Sequence, residues 1–396
     1  MNREDFEILK SDIIYLDNAA TTLKPKCVVD KISDYYNHYS ANIHRGEYNI
    51  AIKAEKEYNE AREAVKDLIH AKRSSEIIFT KGATDSLNMI IFGFMQQYLK
   101  ENDEVLITKS EHASNILPWY KLVETNKIKL NYIDLDDSYR VTIENLKKSI
   151  TDKTKVISLA HITNAIGDIR DIEEIGKICK ERNILFVVDA AQSLGHTKID
   201  VENISFLAAS AHKMLGPTGI GILYGKYELL DQLQPRELGG GMNATFTSDY
   251  QVELKDLPER LEAGTPNIAG AIGLKEAIRY INTIGLQNIE QKEKELKQYL
   301  LEKLKKIENV EVYNENTESG IVLFNLKGVF PQDTSVYLNH YNICIRAGNH
   351  CDKILKDELN VKNTCRISLY FYNTKEEMDK LVDVLRNSED IFRIVI

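Results

Sequence analysis

FLAASAHKMLGPTGIGILYG, residues 206–225, begins and ends as an apolar run with a polar turn between. The first run stops at Ser210-Ala211-His212, Lys213 follows at once, and Gly216, Gly219 and Gly221 punctuate the chain around the second run, Ile220 to Tyr224. This pattern predicts strand, turn and strand, with Lys213 aimed off the strand end instead of lying on a solvated helix face. A lysine amine that is partly desolvated loses its proton near neutral pH and can attack a carbonyl. Lys213 is therefore a candidate Schiff-base lysine.

Working outward, Asp103 to Thr108, Lys129 to Leu135, Lys155 to Ile162, Ile184 to Ala190, Phe206 to Ala211 and Gly219 to Gly225 read as strands, mostly short apolar runs of the kind buried on both faces. Segments of helical spacing lie between several of them; in Asp171 to Arg182, for example, Ile172, Ile175, Ile178 and Cys179 share one face and charges take the other. Alternating strands and helices predict an α/β fold with a mostly parallel sheet, whose sites gather at the carboxyl ends of the strands. Past Thr265-Pro266-Asn267 the texture changes. Ile268 to Thr283 reads as one helix and Leu286 to Ile307 as an amphipathic one rich in lysine and glutamate. Val310 to Tyr313, Gly320 to Leu326, Ile343 to Arg346 and Thr364 to Leu369 then read as strands, with helices at Gln332 to His340 and Thr374 to Asn387. That is a second, smaller α+β domain, with its boundary near residues 265–285.

The chain has 396 residues, 43% of them hydrophobic, enough for two cores. A formal net charge of -9 with scattered basic residues gives no footprint for nucleic acid. No run approaches the roughly 20 apolar residues of a membrane span, and MNREDFEILKSD, residues 1–12, lacks the apolar core of a signal peptide. The 5 cysteines show no metal-like pairing and are expected to be free thiols in a reducing cytosol. A cytoplasmic protein without a metal centre, a nucleic-acid partner or a membrane partner is the expectation.

Asp189 ends the apolar run ILFVVD, residues 184–189, just ahead of Ala190-Ala191-Gln192. An acid at the tip of a buried strand needs a cationic partner. A protonated pyridine nitrogen would be one, because the carboxylate raises its pKa and keeps the ring an electron sink; capping the next helix is the competing role. Lys81-Gly82-Ala83-Thr84-Asp85-Ser86, at the head of a helical pattern, offers backbone N–H groups and a hydroxyl to a phosphate. Ser210, His212 and Thr265 could add donors or simply shape turns. His112 heads a helix after the strand Val105 to Thr108, where an imidazole could lie flat over an aromatic cofactor and pass protons, or be structural. Asn164 could donate to a phenolic oxygen or a carboxylate, or form an Asx turn. Cys351 lies in Arg346-Ala347-Gly348-Asn349-His350-Cys351, where His350 and Arg346 are electropositive neighbours that favour thiolate. Cys344 and Cys365, in apolar strands, read as buried hydrophobes. Arg366 interrupts an apolar strand with a group suited to gripping a carboxylate, a structural salt bridge being the other account.

In their order and spacing, Tyr15-Leu16-Asp17-Asn18-Ala19-Ala20, Ile43-His44-Arg45-Gly46, Gly82 to Thr84, Glu111 to Asn115 with Pro118-Trp119, Asn164, Asp189 to Gln192, Ser210 to Lys213, Gly216 to Tyr224, Glu262 to Asn267, Arg346 to Cys351 and Arg366 with Tyr372-Asn373-Thr374 resemble the cysteine desulfurases of the class V aminotransferase family, most of all the SUF-type (group II) subgroup. The resemblance implies the fold type I of pyridoxal 5'-phosphate enzymes: an N-terminal segment 1–15 packing with the small domain, a large cofactor-binding domain 16–265 with a mostly parallel seven-stranded sheet, a connecting helix 266–285, and a small C-terminal domain 286–396 carrying the cysteine loop. It implies that Lys213 holds the cofactor covalently, that Asp189 pairs with its pyridine nitrogen and Gln192 with its phenolic oxygen, and that His112 stacks on its ring. Ala83, Thr84, Ser210 and His212 would hold the phosphate, joined by Thr265 from the partner subunit of a homodimer. Asn164, facing both cofactor and substrate, would bind the carboxylate of L-cysteine with Arg366 and Arg346. Lys213 and His112 would move protons, and Cys351 would take the sulfur as a persulfide, releasing L-alanine and passing the sulfur to an acceptor protein of the SUF system for iron–sulfur cluster assembly. Selenocysteine lyase, or a related β-elimination in which Cys351 is dispensable, is the alternative. The short segment between Arg346 and Arg366 implies a recessed persulfide. Asn349 and Ala347 replace residues usually His and Thr in the subgroup, and Asp352 stands where a small residue is usual; a carboxylate there is expected to raise the pKa of the thiol.

Overall fold

The computed structural model describes residues 3–44, 46–388 and 391; Arg45, one of the motif residues above, lies outside the described residues. A two-residue strand, β1 (Ile14–Tyr15), precedes two helices, Lys26–His38 and Asn49–Leu68. The central sheet follows: β2 (Ile77–Thr80), β3 (Glu104–Thr108), β4 (Lys129–Ile133), β5 (Thr154–Ala160), β6 (Leu185–Asp189), β7 (Phe206–Ser210) and β8 (Gly221–Gly225). Every residue of β3, β7 and β8 is buried, as helices on both faces require, whereas the edge strand β4 alternates towards solvent. Successive residues feed opposite faces: Leu106, Leu207 and Ala209 enter one core, and Val105, Ile107, Phe206 and Ala208 the other.

The strand order is β2-β8-β7-β6-β5-β3-β4. All neighbours from β7 to β4 are parallel, while β8 is antiparallel to both β2 and β7. Thr80, Thr108, Ala160, Asp189 and Ser210 therefore end their strands on the same edge, and β8 starts there at Gly221. In sheets of this kind ligands bind at that edge.

An exposed hairpin, β9 (Asn243–Phe246) with β10 (Val252–Leu254), leads to helix Ile268–Ile284, which Asn267 caps by accepting from the Gly270 N–H at 2.9 Å. Helix Leu286–Leu304 follows, and its Leu296, Leu300 and Leu304 pack on a second, antiparallel sheet. That sheet runs β11 (Val310–Val312), β12 (Ile321–Leu326), β15 (Thr364–Ser368) and β14 (Arg346–Gly348), while β13 (Ile343–Cys344) pairs in parallel with β1. Ile343 to Arg346, expected as one strand, is thus two, because the chain changes sheet at Ile345. The segment after Cys351 also holds a short helix, Lys353–Glu358, with Leu355 buried. All 5 cysteines are free. No helix among the described residues is long and apolar enough to cross a membrane.

Candidate functional site

β7 ends at Ser210 and a single 3-10 turn, Ala211–Lys213, follows it. The His212 carbonyl is held by the Thr22 N–H at 3.0 Å, the Thr21 and Thr22 hydroxyls at 3.0 and 3.1 Å, and the Lys24 amine at 3.0 Å. Burial pushes the Lys213 amine down to about 8; Asp189 opposes that shift, and Arg366 and Arg346 add to it. Asp189 moves the other way. Burial raises its carboxyl to about 6, although it accepts a 2.9 Å hydrogen bond from the Ala191 N–H and faces Lys213. The amine and the acid are thus each shifted towards neutrality, and a further cation set against Asp189 would lower its carboxyl again.

Gly82 opens helix Ala83–Ile90 with no side-chain cap, so first-turn N–H groups face the strand ends. The Ala83 N–H donates to Ser210 Oγ at 2.7 Å, and the Thr84 and Ser114 hydroxyls are 2.7 Å apart. A Cβ at Gly221 would lie 2.3 Å from Gly82 Cα, so β8 must begin with glycine for this loop to rest on it. His212 is lowered to about 4 by burial and then by Lys213 and Lys24. It is therefore a neutral donor.

His112 is lowered to about 4 as well, by burial first and then by Lys213, Arg366 and Arg346, and its Nδ1 accepts from the Ser114 N–H at 3.1 Å. Its neighbour Glu111 anchors it from behind. Glu111 and Arg170 form an ion pair with both side chains 0% exposed. Glu111 Oε2 also accepts from Asn115 Nδ2 at 2.9 Å and the Ala160 N–H at 2.7 Å, and Arg170 donates to the Thr108 and Ser110 hydroxyls, each at 2.9 Å. Satisfied on nearly every atom, this pair rigidifies the loops after β3 and β5.

From the second sheet come Arg346 and Arg366, cross-strand partners on β14 and β15. Arg366 donates to Asp17 Oδ1 at 3.0 Å and to the Asn164 carbonyl at 2.9 Å, while its buried Nε has no partner among the described residues. Asn164 donates from Nδ2 to the His350 carbonyl at 2.7 Å and leaves Oδ1 without a partner among the described residues. The Arg366 salt bridge and an open donor coexist. His350 and Cys351 both adopt left-handed backbone, φ 57° and 59°. The Ala113 N–H holds the Cys351 carbonyl at 2.9 Å, and Asn349 Oδ1 accepts from the Cys351 N–H at 3.0 Å.

Two expectations for this loop need correction. His350 is no cation for the thiol: it is buried with Nε2 2.9 Å from Thr364 Oγ1, and burial, with Arg366, Lys356 and Arg346, lowers it to about 2. Asp352 follows the thiol in sequence but turns its side chain inside: it is 0% exposed, and burial, against the opposing pull of Lys356, raises its carboxyl well above the usual range. Cys351 itself is exposed in the single chain while it also lines the cavity around Lys213.

Ala83, Thr84, His112, Asn164, Asp189, Gln192, Ser210, His212, Lys213, Arg346, Cys351 and Arg366 all line one cavity of about 240 Å³. Gln192 Nε2 also donates to the Ala19 carbonyl at 2.8 Å. Thr265 is not among the lining residues; it borders a separate cavity with Phe79, Met89 and Asn267, and its Oγ1 accepts from Asn42 at 3.3 Å. Ala19, Ala20 and Ser114 line the first cavity with no role assigned from sequence. Ser114, a hydroxyl two residues past His112 at a helix start, carried a readable signal; the alanines carried none.

The Aminotransferase class-V family model matches residues 14–381. A probable cysteine desulfurase of Halalkalibacterium halodurans is 41% identical over 390 residues, 98% of this chain and 96% of that protein. The apo structure of a cysteine desulfurase from Thermococcus onnurineus matches with a TM-score of 0.93 at 39% identity, over 97% of this chain and 96% of that one. A cysteine desulfurase from Escherichia coli matches with a TM-score of 0.92 at 32% identity, over 100% and 98% of the two chains.

Proposed function

Because this chain belongs to the aminotransferase class-V family, we infer that the cavity around Lys213 and Asp189 is the active site of a pyridoxal-phosphate-dependent cysteine desulfurase. The observation that carries this reading is the meeting of three groups in one cavity: a buried acid, a buried amine of lowered pKa and an exposed thiol.

The residues fit the cofactor on their own chemistry. Asp189 wants a cation, the glycine-led start of helix Ala83–Ile90 favours an anion, and Lys213 is an amine that can be neutral near pH 8. When bound, the cofactor supplies an electron sink for bonds broken next to the substrate's amino carbon. Asp189 would hold its ring nitrogen and Gln192 its phenolic oxygen; Ala83, Thr84, Ser210 and His212 would hold its phosphate. Neutral His112 presents a flat face and, with Lys213, moves protons. Arg366 Nε, buried and without a partner among the described residues, marks where the L-cysteine carboxylate would be read, with Arg346 and Asn164 beside it; because Asn164 Nδ2 is engaged by the His350 carbonyl, Asn164 would have to release that bond to donate to the carboxylate. The Cys351 thiol takes the substrate sulfur, leaving L-alanine and a persulfide.

The remaining assignments follow the chain. Residues 16–265 bind the cofactor, the helix 266–285 connects, and residues 286–396 bring the thiol. The N-terminal segment 1–15 is assigned to the smaller part, a reading supported by the β1–β13 pairing and by Ile14 in the second sheet's core, although Phe6 and Leu9 pack in the core of the central sheet. Thr265, standing outside its own chain's cavity, supports delivery to a second copy in a homodimer. An exposed thiol supports hand-over of sulfur to an acceptor protein of the SUF system for iron–sulfur cluster assembly, and free cysteines support a cytoplasmic setting.

Two variants test the core of this reading. Lys213→Ala is expected to lose the visible absorbance of bound cofactor. Cys351→Ala is expected to keep that absorbance yet lose alanine formation from L-cysteine by about 100-fold or more, with little loss on selenocysteine. Equal loss on both substrates, or on neither, removes Cys351 from the chemistry.

A further inference from the structure

Lys213 is reached from a second direction, through its main chain. After the turn that follows Gln192, His196 places Nε2 3.1 Å from the Lys213 carbonyl oxygen and Nδ1 2.8 Å from Glu293 Oε1. The two side chains are 11% and 8% exposed. The His196 ring lies 4.4 Å, centroid to centroid, from Tyr370, whose hydroxyl donates to the Gly195 carbonyl at 2.8 Å. Gly195 has φ 89°, and a Cβ there would fall 2.5 Å from Met214 Cβ. Only glycine brings this turn so close to the residue after Lys213.

A carbonyl oxygen can only accept, so His196 Nε2 must carry the proton that points at Lys213. Glu293 is what keeps it there. Whether the second proton sits on Nδ1 or on the Glu293 carboxyl, Nδ1 is engaged with Glu293 and Nε2–H stays directed at the lysine. Glu293 belongs to helix Leu286–Leu304, outside the part of the chain that carries β7. The neighbouring His212 carbonyl is held by Thr21, Thr22 and Lys24 instead. Two consecutive carbonyls under the lysine are thus clamped by different segments.

We infer that His196, oriented by Glu293, is a positioning residue that clamps the Lys213 main chain, so that its side chain leaves the turn aimed at Asp189, and that helix Leu286–Leu304 acts on the site through this contact. The inference rests on the reading of Lys213 as the cofactor anchor. His196 itself is not among the residues lining the cavity. Its effect passes through the lysine.

Two substitutions separate clamp from scaffold. In His196→Gln the amide nitrogen stands where Nε2 stood and can still donate to Lys213; in His196→Asn it stands where Nδ1 stood, reaching Glu293 alone. Steady-state kinetics on holoenzyme should show kcat with L-cysteine down about 10- to 100-fold in H196N, KM within about three-fold, and H196Q restored to within about five-fold of wild type. Cofactor-free protein gives a second readout, the pH dependence of Lys213 modification by an amine reagent, followed by mass spectrometry. The groups facing this amine are Asp189, Arg366, Arg346, Cys351, His112 and His212. They remain in both variants, so loosening the main chain should move the labelling midpoint of H196N up towards an ordinary lysine and leave H196Q near wild type. Equal kcat and equal labelling in the two variants would overturn the clamp. Failure of wild-type protein to load pyridoxal phosphate on Lys213 would instead overturn the reading on which it stands, and the clamp with it.

Discussion

Asp189 is a carboxyl whose surroundings favour its neutral form until a cation sits against it. Its folded pKa of about 6 lies above the ordinary 3.8, so cofactor-free native protein holds this proton more tightly than the unfolded chain does. The stability it contributes is therefore present below pH 4, falls as pH rises towards about 6, and stays lost above that. Asp189→Asn removes the effect. Compared by urea unfolding without cofactor, the variant should gain on wild type, between pH 4 and pH 7, on the order of 3 kcal/mol. A gap that does not change with pH would mean the carboxyl is solvated. The same variant should bind pyridoxal phosphate more weakly. For Asp352 the expected outcome is quiet: the side chain is buried, and burial raises its carboxyl well above the usual range, so Asp352→Asn should leave alanine production at neutral pH within about three-fold of wild type. A marked rise at neutral pH that vanished in alkali would return a carboxylate to the thiol.

At the scale of elements, the contact between the start of β8 and the loop before helix Ala83–Ile90 is the tightest constraint on the cofactor cradle. A methyl at Gly221 collides with the Gly82 main chain, which has no flexible end to yield. Gly221→Ala should therefore displace the N–H groups proposed to hold the phosphate and weaken pyridoxal phosphate affinity by about 10-fold or more, measured by absorbance titration, while far-ultraviolet circular dichroism stays unchanged. Wild-type affinity would show that the loop is not the cradle. Strands β5 to β8 were readable in the sequence because both faces are largely buried and, apart from Lys155 near the start of β5 and Asp189 at the end of β6, their positions are apolar or carry at most a hydroxyl. Helices Lys26–His38 and Asn49–Leu68 escaped notice, since the buried face of the second is built largely from Ala51, Ala54, Tyr58 and Ala61 among charges. β2 is four residues long, too short to show a period. The break between β13 and β14 depends on which strands happen to be neighbours, which no local pattern encodes. Chemistry was legible in the same uneven way. Lys213, Asp189 and Cys351 announce themselves by residue type at strand ends and loops, but the inward turn of Asp352 and the pairing of His350 with Thr364 follow from the path of the folded loop.

Across the whole molecule, the two sheets are joined by a buried polar seam. Asn314 Nδ2 and Thr317 Oγ1 donate to the Ile166 carbonyl at 2.6 and 2.9 Å, Ser319 Oγ donates to the Gly167 carbonyl at 2.8 Å, and Lys297 Nζ donates to Thr317 Oγ1 at 2.6 Å. Lys297 is 2% exposed, and burial lowers its amine to about 7 against the pull of Glu318. An unfolded lysine keeps its proton up to about pH 10.4, so the unfolded chain binds more protons in between and stability falls as pH drops from about 10 to about 7. Lys297→Met should cancel that slope, gaining on wild type on the order of 4 kcal/mol over the same interval in chemical denaturation. Parallel pH profiles for the two proteins would show that the amine is hydrated. One topological detail reaches further still. β2 joins the central sheet only through β8, and β8 comes last of the seven strands, so on the ribosome the Gly82 loop waits without its wall until nearly the whole sheet has emerged. Cofactor capture is then a late event in the life of each new chain, because the strand that backs the Gly82 loop is among the last parts of the sheet to be made.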